Sequence, residues 1–364
     1  MTGLDWVATG AGLALVLAVM ADLVATVVAT AGSGTGWRPT RQFYTSTWAV
    51  WSWMARHRRS PERRERLLSL FGPLSLLALL LLWLLGLLLG WALVWYALRD
   101  SLQGDGGSGS YVYYSGIVLL TIGFGDITPT GFAARMLTLT EAMTGLATIA
   151  LVISYLPALY GSFNRRETRL LTLDHPSGER IQPAALIALH APDGDLHRLY
   201  RFFAEWELWV AEVLESHVSY PMLALFRSQH AGQSWITALG VVVDAASLTS
   251  AMVEGADERE PFFLYRRGRR AINEIARKLG TTGRDDPLLD RQLFDVAYQR
   301  LEEARLPLRE PDESWDRLVS YRSAYGSTLE GFITYLAAPR GFWGHSAGDV
   351  LAEPQTGPVD EKTS

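Results

Sequence analysis

Between two long apolar runs, residues 74–98 and 132–160, the chain carries Thr121-Ile122-Gly123-Phe124-Gly125-Asp126. A bilayer core of about 30 Å needs about 20 apolar helical residues. Both runs reach that length, and so does a third at residues 6–31. The expected fold is therefore an all-α membrane protein with three transmembrane helices and a Gly-containing loop between the second and third. Gly reaches left-handed and other unusual backbone angles cheaply, and Gly123 and Gly125 occupy alternate positions. Taken alone, Gly-Phe-Gly-Asp reads as a turn between two helices. Thr121 and Ile122 ahead of it, in a membrane context, call for more than a turn.

The hexapeptide and its flanking runs resemble the pore of potassium channels, whose filter reads TVGYG followed by Asp. The resemblance implies rings of backbone carbonyls from Thr121, Ile122, Gly123 and Phe124 that replace the hydration shell of K+, with the Thr121 hydroxyl as a further oxygen ring. Ile122, stiff at its branched Cβ, would pack outward and brace the loop, and Asp126 would attract cations at the outer mouth. Phe124 stands where Tyr is commonest, so a hydroxyl and its hydrogen bond to the pore helix are lost. Residues 110–120 would form that pore helix, its negative C-terminal end aimed at the ion path. Tyr111, Tyr113 and Tyr114 read either as an aromatic cuff around the filter or as interfacial aromatics.

In several bacterial channels of this kind a Glu four residues before the filter Thr pairs with the filter Asp. Here that position is Ile117. Glu141, within the following span, is the candidate replacement, with Tyr113 and Tyr114 as its expected donors. Gly145 holds the place of the hinge glycine of the inner helix, or else marks a close helix contact. By the same spacing Leu146, Ile149 and Ile153 would face the inner cavity. Pro157 would kink the helix near its cytoplasmic end, where an apolar crossing closes the pore by dewetting. One chain supplies one filter strand, so the resemblance implies a homotetramer in a lipid bilayer. K+ is then the permeant ligand, and no cofactor is called for.

Charge sets the expected topology. Arg38, Arg41, Arg56, Arg58, Arg59, Arg63, Arg64 and Arg66 follow the first run, and Arg165, Arg166 and Arg169 follow the third. The positive-inside rule makes these segments cytoplasmic, with the N-terminus and the loop at 99–110 outside. Asp5 in place of a basic leader, and Asp22 within the run, argue against a signal peptide. An intramembrane carboxylate is costly and usually functional. Asp22 either serves the pore or reaches interfacial water or Arg38. Residues 41–59, with Trp48, Trp51 and Trp53, read as an amphipathic interfacial helix. It leads into a second span whose helix is expected to begin near Pro73, a residue suited to a first turn.

After Asn164 the composition turns polar with helical periodicity, strongest in Leu199, Phe202, Phe203, Trp206, Trp209, Val210 and Val213. Further helices are expected near residues 235–254, 261–279, 288–305 and 314–337. Residues 235–253 are apolar enough to suggest a fourth span, but Asp244 and several small polar residues favour a buried soluble helix. Glu205, Glu207, Glu212 and Glu215 with His217 read as a solvated face in preference to a cation site. No dinucleotide fingerprint, cyclic-nucleotide jelly roll, metal motif or spaced catalytic set is found. The chain contains no Cys, so disulfides and thiolate chemistry are excluded. A net charge of -5 gives no hint of nucleic-acid binding.

The expected organisation is 1–69, an N-terminal span with its interfacial helix; 70–163, the pore domain; 164–343, a cytosolic helical regulatory domain of unknown regulator; and 344–364, a disordered tail. Asp22-Leu23-Val24-Ala25-Thr26, Phe71-Gly72-Pro73-Leu74-Ser75-Leu76 and the block from His217 through Pro221 to His230 resemble a wider family of bacterial predicted ion channels with a helical cytosolic region. The leading expectation is a potassium-selective channel and not an enzyme. A weakly selective cation channel and a non-conducting membrane sensor or scaffold are the rival readings.

Overall fold

The computed structural model describes residues 2–27, 38–104, 107, 109–173, 182–228, 233–255, 259–281, 283, 289–340 and 342–344. The expected disordered tail lies outside these residues, apart from Gly344. The protein is all-α, and it divides into two units, Met1–Gly161 and Ser162–Ser364. Among the described residues four helices are long and apolar enough to cross a membrane: α1 (Gly3–Val27), α3 (Pro61–Ala97), α5 (Gly131–Leu171) and α8 (Trp235–Met252).

In the N-terminal unit α1 packs along α3. Gly12 faces Gly90, and Gly86 faces Val19. A side chain at any of these glycines would run into the partner helix, so the small residues set the close approach of the two spans. Asp5 near the start of α1 meets Arg99 just beyond α3 at 2.7 Å. At the other end of α1, buried Asp22 accepts from Trp83 Nε1 of α3 at 2.9 Å and from the Thr40 amide at 3.3 Å. It also accepts from the Thr40 hydroxyl, in the first turn of α2 (Pro39–Arg56). Arg38, one of the partners considered for it, donates instead to the Ala25 carbonyl at 3.0 Å. One carboxylate thus joins three helices. Trp48 and Trp51 of α2 hold Phe71 edge-on, with ring centroids 4.9 and 5.7 Å away.

The second span does not begin at Pro73. Ser60 is extended, Pro61 opens the helix, and α3 runs through Pro73 without a break. A proline removes a single backbone donor, and the helix-forming residues on either side carry the helix past that loss. A short helix, α4 (Ser110–Leu119), lies between α3 and α5. Two two-residue strands, β1 (Leu102–Gln103) and β2 (Thr128–Pro129), pair antiparallel across its flanking loops, Leu102 opposite Pro129.

The C-terminal unit begins with the last turns of α5. It continues through α6 (Pro183–His190), α7 (His197–Ser219), a short 3-10 turn at Pro221–Leu225, α8, α9 (Arg259–Leu279), α10 (Arg291–Glu303), α11 (Pro311–Ser323) and α12 (Gly326–Tyr335). Helix α8 is its centre, packed on α6, α9, α11 and α12. Its most apolar window is 89% buried, against 22–39% for α1, α3 and α5. Asp244 within it is satisfied by Arg322 at 3.1 Å and the Tyr325 hydroxyl at 2.6 Å. Residues 314–337 form two helices where one was expected. The break falls at Ala324–Tyr325, where the Tyr325 ring is buried and its hydroxyl committed to Asp244.

Candidate functional site

The segment from Leu120 to Asp126 follows α4 directly. Thr121, Gly123 and Gly125 have φ of 56°, 60° and 80°. Left-handed backbone therefore recurs at every second residue. At the two glycines this costs little, whereas at Thr121 it costs about 1–2 kcal/mol. The end of α4 offsets that cost. The Thr121 amide donates to the Val118 carbonyl at 3.0 Å, and the Ile122 and Gly123 amides donate to the Ile117 carbonyl at 2.8 and 3.1 Å. Carbonyls that a helix end leaves without partners are thus satisfied by the loop. Among the described residues no hydrogen bond ends on the carbonyl oxygens of Thr121 to Gly125. Ile117 contributes here through its backbone, while its side chain is buried.

Ile122 and Phe124 do not brace the loop within one chain. They are 50% and 69% exposed, and Thr121 to Asp126 is exposed throughout. Asp126 is held at its carboxylate by the Tyr113 hydroxyl at 2.8 Å. The buried Ile127 beside it anchors the outgoing strand, and the Thr130 amide donates to the Ser101 carbonyl at 2.8 Å.

Behind the loop, α3, α4 and α5 converge on a buried polar centre. Glu141 of α5 is fully buried. Its Oε1 lies 2.6 Å from the Ser115 hydroxyl of α4, and its Oε2 accepts from Trp95 Nε1 of α3 at 2.6 Å. The donors expected for it, Tyr113 and Tyr114, are engaged elsewhere. Tyr113 reaches Asp126, and the Tyr114 hydroxyl lies 2.7 Å from the Thr138 hydroxyl, its ring edge-on to Trp95. The reason is geometric. Residues 113 and 114 follow different lines along α4, so one meets the loop and the other α5. Trp91 Nε1 adds a bond to Thr144 at 3.1 Å, one turn below Glu141. Trp95 and Ser115 had no local signal in the sequence beyond a polar atom in an apolar stretch.

Gly145 lies against the end of α4, where an added Cβ would overlap the Leu119 carbonyl. Close packing therefore accounts for this glycine. On α5, Glu141, Gly145 and Thr148 are buried, whereas Met143, Leu146, Ile149 and Ile153 form an exposed apolar face. Pro157 is also exposed, within a helix that continues to Leu171. Among the described residues no group of His, Cys, Asp or Glu is arranged to hold a metal. The glutamates of α7 are turned elsewhere. Glu205 faces Arg169 at 3.5 Å and Glu207 faces Arg267 at 2.8 Å, while His217 lies on the buried side of the helix.

Residues 82–160, which contain α4 and the whole hexapeptide, match a family model described as Ion channel (Ion_trans_2). Over 209 residues the chain is 26% identical to a protein of Bacillus subtilis (strain 168) named Uncharacterized membrane protein YdjJ. That stretch is 55% of this chain and 59% of the relative, so less than two thirds of the relative is spanned. No solved structure matches the chain. The apolar helices and these two similarities together support a multi-pass membrane protein that carries an ion-channel domain.

Proposed function

We propose that this chain forms a tetrameric, potassium-selective channel whose filter is Thr121 to Gly125. The observation that carries the reading is the alternation of left-handed backbone at Thr121, Gly123 and Gly125, with the amides of Thr121, Ile122 and Gly123 donating to carbonyls of α4 and, among the described residues, no donor on the carbonyl oxygens of Thr121 to Gly125. Carbonyls released in this way suit a cation that must exchange water for fixed oxygens. Helix α4 ends at this loop, and its C-terminal partial charge favours a cation. Helices α1, α3 and α5 are the spans, α8 belongs to the cytoplasmic unit, and the N-terminus faces outward, as the arginine distribution favours.

The test is the reversal potential of the purified protein in planar bilayers, with potassium on one side and sodium on the other. A strongly potassium-weighted value is expected, and Gly123→Ala, which forces a Cβ into left-handed backbone, should abolish selective flux. A reversal potential near zero would establish the weakly selective reading, which Phe124 and the apolar Ile117 keep in play. Absence of any flux would leave the sensor or scaffold reading.

A further inference from the structure

The turns of α5 from Ser162 onward belong to the C-terminal unit, and Arg166 seats them there. Its side chain is 1% exposed. Nε and Nη2 bind Glu167 Oε1 at 2.9 and 2.8 Å. Nη2 also donates to the Phe226 carbonyl at 2.7 Å, and Nη1 to the Leu223 carbonyl at 3.1 Å. These carbonyls belong to the 3-10 turn after α7 and the residue that follows it. Nη1 lies 3.2 Å from Nε2 of His217, which is completely buried and tilted over the Trp235 ring. The other ring nitrogen, Nδ1, lies 2.8 Å from the Val213 carbonyl. A carbonyl only accepts and a guanidinium only donates. The imidazole proton is therefore on Nδ1, and Nε2 offers Arg166 its lone pair.

We propose that the Arg166–His217 contact is a proton-operated latch: a proton on Nε2 sets donor against donor and charge against charge, and releases the tail of α5 from the turn at Pro221–Phe226. Its effect on conduction rests on the channel reading, since α5 carries the candidate inner-pore face. The release itself does not.

Few charged groups face the imidazole. The α5 tail brings Arg166 and Glu167, the latter also 3.3 Å from the Ser228 hydroxyl. The 3-10 turn contributes only carbonyls. Helix α8 presents the Trp235 ring, and its one acid, Asp244, is committed to Arg322 and Tyr325. On α7 itself Glu215 is exposed and lies 3.3 Å from Ser219. Burial, and then the Arg166 charge, hold the imidazole well below its ordinary value of 6.5. The sign follows: the latch is closed at neutral pH, and its stability is lost as pH falls below about 6.5 toward the lower folded value.

The chain has no Cys, so a single nitroxide on Ser219→Cys, two residues beyond His217, reports the latch in the full-length detergent-solubilised protein. Between pH 7.5 and about 5 the label should become mobile reversibly, with far-UV circular dichroism unchanged. In His217→Gln, which still offers Arg166 an acceptor but takes no proton, the transition should vanish. In Arg166→Lys, which reaches fewer of the acceptors, it should move to higher pH. A label that stays immobile in the wild type overturns the latch, and so does mobility that appears only with loss of helix. An unchanged transition in His217→Gln does the same or, where that variant does not fold, an unchanged midpoint in Arg166→Lys. In bilayers, acid on the cytoplasmic side should alter open probability in the wild type and not in His217→Gln. A wild type that never conducts defeats the channel reading while the label still decides the latch.

Discussion

Glu141 shows what one residue contributes and how it does so. The sequence marked it as an acid in an apolar run close to an expected pore helix that lacks a carboxylate. Its partners were not legible, because Trp95 and Ser115 lie far away along the chain and meet it only when three helices pack. The left-handed Thr121 was hidden for the same reason. Glycines announce positive φ, but a threonine adopts it only where the end of α4 offers carbonyls to the following amides. Removing the acceptor is costly, since an unmet buried donor costs about 1–3 kcal/mol. Glu141→Leu strands the Trp95 donor, while the Ser115 hydroxyl keeps the Leu88 carbonyl at 3.1 Å, so it should lower stability by roughly 1–3 kcal/mol and hasten loss of conduction at low potassium. Glu141→Gln keeps a carbonyl oxygen and should be much milder. Thermal unfolding in detergent together with conduction lifetimes checks this, and equal lifetimes for wild type and Glu141→Leu would show that the carboxylate does not serve the filter.

The helices themselves were largely readable. Apolar runs and the three-and-four spacing of α7 located them, because burial in lipid or in a core imposes those patterns directly. Boundaries that depend on one local event were not readable. Pro73 suits a first turn but sits inside α3, and the break at Tyr325 arises from a buried hydroxyl that Asp244 claims from another helix. Helix α1 has both kinds of feature. Its apolar run was plain, with residues 28–31 of the expected span outside the described residues, but its attachment depends on Gly12 meeting Gly90 and Val19 meeting Gly86 of α3 closely and on Asp22 collecting donors from α2 and α3. If α1 and α2 bear on the pore, Asp22 is where the force passes. Asp22→Asn weakens the join without adding bulk, and it should change open probability several-fold with the reversal potential unchanged. Single-channel recording of wild type and mutant decides this, and identical gating would reduce Asp22 to an anchor.

At the scale of the whole molecule, the proposed tetramer rests on what a single chain leaves exposed. Its C-terminal unit buries its own core around α8, yet the hexapeptide is exposed throughout, with Phe124 at 69% and Ile122 at 50%. On α5, Met143, Leu146 and Ile153 are 61–69% exposed on one side, while Glu141, Gly145 and Thr148 are buried on the other. Lipid can cover an apolar helix face. It cannot satisfy a strained loop whose carbonyls have no donor among the described residues. In the proposed assembly, copies arranged around a closed axis would give Ile122 and Phe124 neighbours to pack on and would bring the carbonyls together around one ion. Four is the number that the potassium-channel resemblance implies. The mass of the detergent-solubilised complex should therefore be that of four 40.3 kDa chains. Gly123→Ala, which strains the loop without touching the helices, should weaken the assembly and leave the fold of each chain intact. Native mass measurement of both proteins, paired with circular dichroism, gives the answer. A wild type that is monomeric at every detergent concentration would remove the carbonyl cage, because one chain supplies only one side of it.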